Sequence, residues 1–149
     1  LERVDRGGPV RVVDDYGHNP AKLAAAWTAV SAPGRRVLGV WRPHGFGPLR
    51  SMLEPLAEAF ASVCRPDDRL WLLPVYDAGG TADRSITAAA LAEKLKARGV
   101  NVESAADYDV LGAALVRAAR PGDTLLVMGA RDPHLPVFAR ELAARTARG

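Results

Sequence analysis

The chain has 149 residues, of which 48% are hydrophobic and 25% charged, an ordinary balance for one globular domain with a single sizeable core. No apolar run approaches the roughly 18 residues that a membrane span needs. The net charge of +3 comes from arginines scattered among nearly as many acids, with no basic block, aromatic-interleaved basic stripe or nucleic-acid-reading motif, so neither a membrane nor nucleic acid is an expected partner.

In chain order, Val10 to Asp15 reads as a mostly buried strand. A polar turn follows, Asp14-Asp15-Tyr16-Gly17-His18-Asn19-Pro20, and then a helix from Ala21 to Val30, ended by Ser31-Ala32-Pro33-Gly34. Arg36 to Trp41 is a second strand and 42 to 48 a loop. Leu49, Met52, Leu53, Leu56, Phe60 and Val63 recur at helical spacing, which predicts one helix from Leu49 to Val63, closed by Arg65-Pro66-Asp67-Asp68. Leu70 to Val75 is a third strand, Asp77-Ala78-Gly79-Gly80 a loop, and Ser85 to Arg98 a helix stopped by Gly99. A short strand fits Val100 to Glu103, a helix capped by Asp107 fits Tyr108 to Ala119, a strand fits Thr124 to Met128, and a last helix runs from about Leu135 to Thr146. Strands alternating with helices predict an α/β fold: a doubly wound, mostly parallel Rossmann-like sheet with helices on both faces, forming one domain over 1–149.

On that scaffold the unusual polar residues gather at one edge. All three histidines follow strands, His18 the first, His44 the second and His134 the last, while Asp77 and Asp83 lie in the loop after the third. Ligands of open α/β sheets sit beyond the carboxyl ends of the strands, so these residues are candidates for ligand contact. The same turn also suits plain capping, because Asp and Asn cap helices and Pro20 fits a first helical position. Asp14, Asp15, His18 and His44 are possible metal ligands, but without an i, i+4 histidine pair or a cysteine cluster no structural zinc is expected. A magnesium ion arriving with a nucleotide suits them better. No Ser stands on a Gly-x-Ser-x-Gly elbow and Cys64 falls within a helix, which argues against a nucleophilic triad. Gly79-Gly80 is too weak for a phosphate loop, and without Gly-x-x-x-x-Gly-Lys-Ser/Thr the chain cannot by itself hold a triphosphate in the P-loop manner. The single Cys64 cannot close an internal disulfide and no secretory pattern opens the chain, so a reducing cytoplasm is expected. A chain that opens on Leu1 and reaches its first strand by Val10 reads as a piece of a longer protein.

Val12-Val13-Asp14-Asp15-Tyr16-Gly17-His18-Asn19-Pro20 resembles the signature that opens the C-terminal domain of the Mur ligases, ATP-dependent enzymes that add amino acids to the peptidoglycan precursor. The likeness is greatest to the branch that joins L-alanine to UDP-N-acetylmuramate, where Asp-Asp-Tyr-Gly-His-His-Pro is usual. Three later stretches agree in order and spacing. Arg42-Pro43-His44 resembles the family's Gln-Pro-His, Val75 to Gly80 followed by Asp83-Arg84-Ser85 resembles its third-strand loop, and Val127-Met128-Gly129-Ala130 resembles its Gly-Ala turn.

The resemblance implies a three-domain ligase that forms an amide through an acyl phosphate, with ATP and magnesium held mainly by an upstream central ATPase domain over which this domain closes. The implied substrates are a UDP-linked muramoyl acid and an amino acid. Asp14, Asp15 and Tyr16 would meet the nucleotide, Asp15 at its ribose, and His18 with Asp15 would be catalytic. Asn19, Arg42, His44, Arg50 and Asp77 would lie nearer the substrates, where an arginine can pair bidentately with a carboxylate. The chain departs from the family at Gly45-Phe46-Gly47-Pro48-Leu49-Arg50, which lacks the first expected basic residue, and at Arg131-Asp132-Pro133-His134.

A rival reading needs no missing domains: a stand-alone Rossmann-like module that binds a nucleotide or a protein and catalyses nothing. A phosphate-ester hydrolase using Asp14 or Asp15 as nucleophile fits less well, because it needs a lysine at the strand ends, and Lys22, Lys94 and Lys96 all fall within predicted helices.

Overall fold

The computed structural model describes residues 1–77 and 86–147. Its elements in chain order are β1 (Glu2–Arg3), β2 (Arg11–Asp15), α1 (Pro20–Val30), β3 (Val37–Trp41), α2 (Phe46–Ser51), α3 (Leu53–Val63), β4 (Arg69–Leu72), α4 (Ala88–Ala97), β5 (Val102–Ser104), α5 (Tyr108–Ala118), β6 (Thr124–Met128) and α6 (His134–Thr146). The strands form one sheet in the order β1-β2-β6-β3-β4-β5, parallel except for β1, which pairs antiparallel with β2. Helices α1, α3 and α4 pack on one face through Leu23, Trp27, Leu56, Phe60 and Leu91. Helices α5 and α6 cover the other through Leu111, Leu115, Phe138 and Leu142. This is the expected doubly wound sheet. Its central strands β3 and β6 are buried along their whole length, which is why they read as unbroken apolar runs.

The local differences have physical causes. The helix expected from Leu49 to Val63 is two, α2 and α3, broken at Met52 with ψ at 17°. Pro55 accounts for the break: it has no N–H to give and its ring would collide with the Ser51 carbonyl one turn back. The strand expected to reach Val75 ends at Leu72: the Leu73 N–H still bonds the Trp41 carbonyl, but Pro74 has no N–H to offer. The short strand near 100 starts later, at Val102. Edge strand β1 is new, with two exposed residues that carry no strand pattern. Cys64 follows the last residue of α3 as its cap instead of lying inside a helix. Burial, and then Asp68, push its thiol up to about 12, which suits partly buried filler and not a nucleophile.

One side chain ties α1 to the sheet. The fully buried Trp27 indole lies over Gly39 of β3, so close that a methyl group on that glycine would fall 2.1 Å from the ring. Its Nε1–H donates to Asp68 at 3.0 Å, and its ring meets Phe60 edge-on at 6.2 Å. Asp68 is only 2% exposed and also accepts from the Val37 N–H at 2.9 Å and from Arg65. The turn that carries it recurs. In Arg65-Pro66-Asp67-Asp68 and Arg120-Pro121-Gly122-Asp123 alike, the arginine N–H donates to the aspartate side chain and the aspartate N–H returns to the arginine carbonyl. The two turns deliver the chain into β4 and β6, on either side of β3.

Gly39→Ala is expected to cost about 2 kcal/mol or more by forcing the indole aside, read as a lower urea midpoint. A midpoint within error of the parent would contradict this packing. Acid should weaken the fold as well. Burial opposes the charge of Asp68 and of Asp5, but ion pairing with Arg65 or Arg3 and backbone N–H bonds outweigh it, and Asp5 is lowered to about 2. A depressed carboxylate stabilises the fold above its unfolded value and stops doing so as pH falls through its folded value. Urea stability is therefore expected to drop as pH goes from about 4 to about 2, with a shallower drop in Asp68→Asn.

Candidate functional site

The carboxyl ends of β2, β6 and β3 are level: Asp15 and Trp41 both stand opposite Met128. Beyond them the chain turns to opposite faces, toward α1 after β2 and α2 after β3 but toward α6 after β6. The three loops therefore diverge around β6 and open the crevice of a topological switch point. Gly129 keeps the floor close. Its φ is 155°, and a side chain there would meet Leu135 at 2.4 Å and the Arg42 carbonyl at 3.3 Å. Arg131, at φ 69°, is the non-glycine residue with a left-handed backbone among those described, so strain is stored at this same turn.

Asp14 and Asp15 do not act as a pair. Side chains alternate along β2, Val12 packing with α6 and Val13 with α1, so the two acids leave opposite faces. Burial, and then Glu2 and Asp15, push the Asp14 carboxyl up from the ordinary range, with Arg140 of α6 opposing them. Asp15 faces α1, where Oδ2 accepts the Gly17 N–H at 2.9 Å and Oδ1 lies 3.1 Å from the Leu1 nitrogen. Beside it a hollow of about 460 Å³ is lined by Tyr16, Lys22, Ala25 and Ala29. The Tyr16 ring is 71% exposed at its rim. Asn19 caps α1, its side chain accepting the Lys22 N–H at 2.9 Å, so the structural role suggested by its sequence position is fulfilled.

The structure brings His18 and His44 together, rings edge to face with centroids 5.6 Å apart. His18 Nδ1 lies 3.3 Å from the Tyr16 carbonyl, a contact that suits an Nδ1–H donor and leaves Nε2 as acceptor. Burial lowers the His44 pKa from its ordinary value, and the nearby His18 and Arg131 lower it further. His44 is therefore neutral at pH 7, able to accept a proton and unable to repel a cation. His134 is not part of this pair. It begins α6 and packs against Tyr108, centroids 4.6 Å apart.

Arg42 is engaged within the chain. Its Nη1 donates to Asp132 at 3.0 Å, a residue 90 positions away, and its guanidinium sits between the Tyr76 and Tyr108 rings at 5.6 and 5.4 Å. The Tyr108 hydroxyl donates to the same carboxylate, and burial together with that bond raises its pKa. The buried Nε of Arg42 has no hydrogen-bond partner. Arg50 lies in the last turn of α2 and is exposed, as is Asp77 beyond Tyr76. Asp83, Gly79, Gly80, Arg84 and Ser85 lie outside the described residues. Sequence reasoning missed Tyr108 as a site residue. Its place at the carboxyl edge after β5 was the available signal.

An open sheet whose carboxyl edge gathers acids and imidazoles around a switch point defines a Rossmann-like α/β domain with a ligand crevice. The family model of the Mur ligase, glutamate ligase domain matches residues 1–131, and the chain belongs to that family. A UDP-N-acetylmuramate--L-alanine ligase of Oleidesulfovibrio alaskensis is 35% identical over 87% of this chain and 28% of its own length. One from an Anaeromyxobacter species is 38% identical over 84% and 27%. The chain thus spans little more than a quarter of these relatives. Among solved structures, the UDP-N-acetylmuramate-alanine ligase of Thermotoga maritima superposes with TM-score 0.66 at 20% identity, over 91% of this chain and 26% of that one. A domain from a ligase of Haemophilus ducreyi matches with TM-score 0.65 at 21% identity, over 97% of this chain and all of that one (100%). These two likenesses speak for the fold.

The histidine pair makes a direct prediction. In an NMR titration His44 should titrate below the ordinary histidine value, and His18→Ala should raise its midpoint by removing the opposition of the neighbouring imidazole. A His44 midpoint at or above the ordinary value would count against the pairing.

Proposed function

We propose that this chain is the C-terminal domain of a longer cytoplasmic ligase of the Mur type, which forms an amide between an acid and an amino acid at the expense of ATP. The observation that supports it best is the pairing of His18 with His44 beyond the strand ends, on the turn that also carries Asp15, within the residues that the family model matches. Related proteins carry the name UDP-N-acetylmuramate--L-alanine ligase, so a UDP-linked muramoyl acid and L-alanine, or a similar pair, are the proposed substrates in peptidoglycan precursor synthesis.

The residues fit a nucleoside better than a metal. Among the described residues no cluster of three or more His, Cys, Asp or Glu is placed to hold an ion, so magnesium belongs to the upstream ATPase domain in this reading. ATP, bound chiefly there, supplies the phosphoryl group that makes an acyl phosphate. Asp15 stands beside a hollow lined by Tyr16 and alanines, a combination suited to sugar hydroxyls and a base. Asp14, on the far face, would act on the nucleotide only indirectly. A neutral His44 next to His18 favours entry of an amine and can take the proton it must lose before attack. Domain closure would orient that amine and keep water from the acyl phosphate. Arg42, paired with Asp132, would shape the crevice wall, and Arg50, Asn19 and Asp77 are also proposed to lie near the substrates. The stand-alone module draws on the same crevice but leaves the match to ligase relatives without a role. The hydrolase needs a lysine at a strand end, whereas Lys94 and Lys96 lie in α4 and Lys22, which lines the hollow beside Asp15, comes from α1.

In the full-length enzyme, His18→Ala is expected to cut turnover about a hundredfold with an unchanged thermal midpoint. Asp15→Asn, which keeps an acceptor for the Gly17 N–H, should raise the KM for ATP more than it lowers kcat. Wild-type kinetics in both variants would overturn the site assignment.

A further inference from the structure

A groove of about 670 Å³ lies at the opposite end of the sheet, among the turns that lead into the strands. It is walled by Arg35, Arg36, Arg65, Arg69 and Arg120, with Asp67, Asp68 and Asp123 as its acids, a balance of five positive charges to three negative. Two of those acids are already spent: Asp68 is held by Arg65, and Asp123 by Arg36 at 2.7 Å. Arg69 pairs with Glu103 and stacks on Trp71 at 4.5 Å.

The repeated turn isolates what is unusual. In the first copy the arginine that opens the turn, Arg65, pairs with the aspartate that closes it. In the second copy that aspartate is taken by Arg36, just before the neighbouring strand β3, and the guanidinium of Arg120 has no acid partner among the described residues. Arg35 has none either. Its Nη1 is fixed by the Gly122 carbonyl at 2.8 Å, which orients the rest of its fork without neutralising it. Two arginine forks without acid partners thus line one polar groove, backed by three that are clamped. Guanidinium groups favour phosphate, whose geometry they match bidentately, and the Gly122 carbonyl already holds that of Arg35 in the groove.

We propose that this groove binds a phosphorylated small ligand carrying at least two phosphate charges, at a site separate from the crevice at the carboxyl edge. The ligand is polar throughout, because the lining offers little apolar surface beyond Pro66 and Pro121.

The test is a titration of the full chain with inorganic pyrophosphate, followed by amide NMR, with citrate as a non-phosphate anion of high charge. Shifts are expected at Gly34, Arg35, Arg120 and Gly122, with His18 and His44 unmoved, and binding should weaken as salt rises. Arg120→Glu, which removes no contact of the fold, should weaken binding about tenfold or more, and Arg35→Ala about tenfold. Arg120→Glu serves as the decisive variant if Arg35→Ala lowers the thermal midpoint. Shifts confined to the carboxyl edge, citrate binding as tight as pyrophosphate, no binding at millimolar pyrophosphate, or unchanged affinity in Arg120→Glu would each overturn the proposal.

Discussion

The placement of everything at the carboxyl edge depends on the contact of Trp27 with Gly39. A parallel sheet fixes its strands by backbone bonds, but a helix beside it can slide or rotate unless side chains lock it. Here the lock is an indole that fills the space a β3 side chain would occupy and is fastened by a hydrogen bond to Asp68. Because α1 begins at the turn bearing Asp15 and His18, fixing the helix fixes that turn. The same aspartate holds the first N–H of β3, so one buried carboxylate aligns the strand that leads to His44 and the helix that follows His18. The two imidazoles meet because both of their supports are tied to Asp68.

Charge is used differently on the two sides of the crevice. Near α1 the polar groups have fewer partners: Asp15 meets its own turn and the Leu1 nitrogen, and the histidines contact each other and a carbonyl. Near α5 and α6 they are engaged with one another, with Arg42, Asp132 and Tyr108 forming a network beside the Tyr76 ring. A rigid, internally neutralised wall facing a wall of available groups is a sensible division for a binding crevice, since only one side must adapt to what enters.

Much of this was legible in the sequence. The alternation of strands and helices, the polar turn after Val13 and the gathering of histidines at strand ends follow from periodicity of 2 and 3.6 and from turn chemistry, all of which are local. Family likeness added the expectation that Asp15 and His18 share a site. What stayed hidden is non-local or subtle. Asp132 reaching Arg42 needs the sheet order, in which β6 inserts between β2 and β3, and nothing local predicts that insertion. The opposite facing of Asp14 and Asp15 was readable from strand alternation but easily overlooked when both stand in one motif. The break at Met52 was also readable from Pro55, yet the apolar spacing through it is continuous and points to one helix.

Strand β3 joins the two polar ends of the molecule, from Arg36 just before it to Arg42 just after it. At about 3.3 Å per residue the six steps between them span about 20 Å. That exceeds the Debye length of about 8 Å at physiological ionic strength. Screening therefore separates the ends electrically: an anion gained or lost at one leaves the charges at the other untouched. Any communication between the ends has to be mechanical, through the buried backbone of β3 or the helix that Trp27 fastens to it.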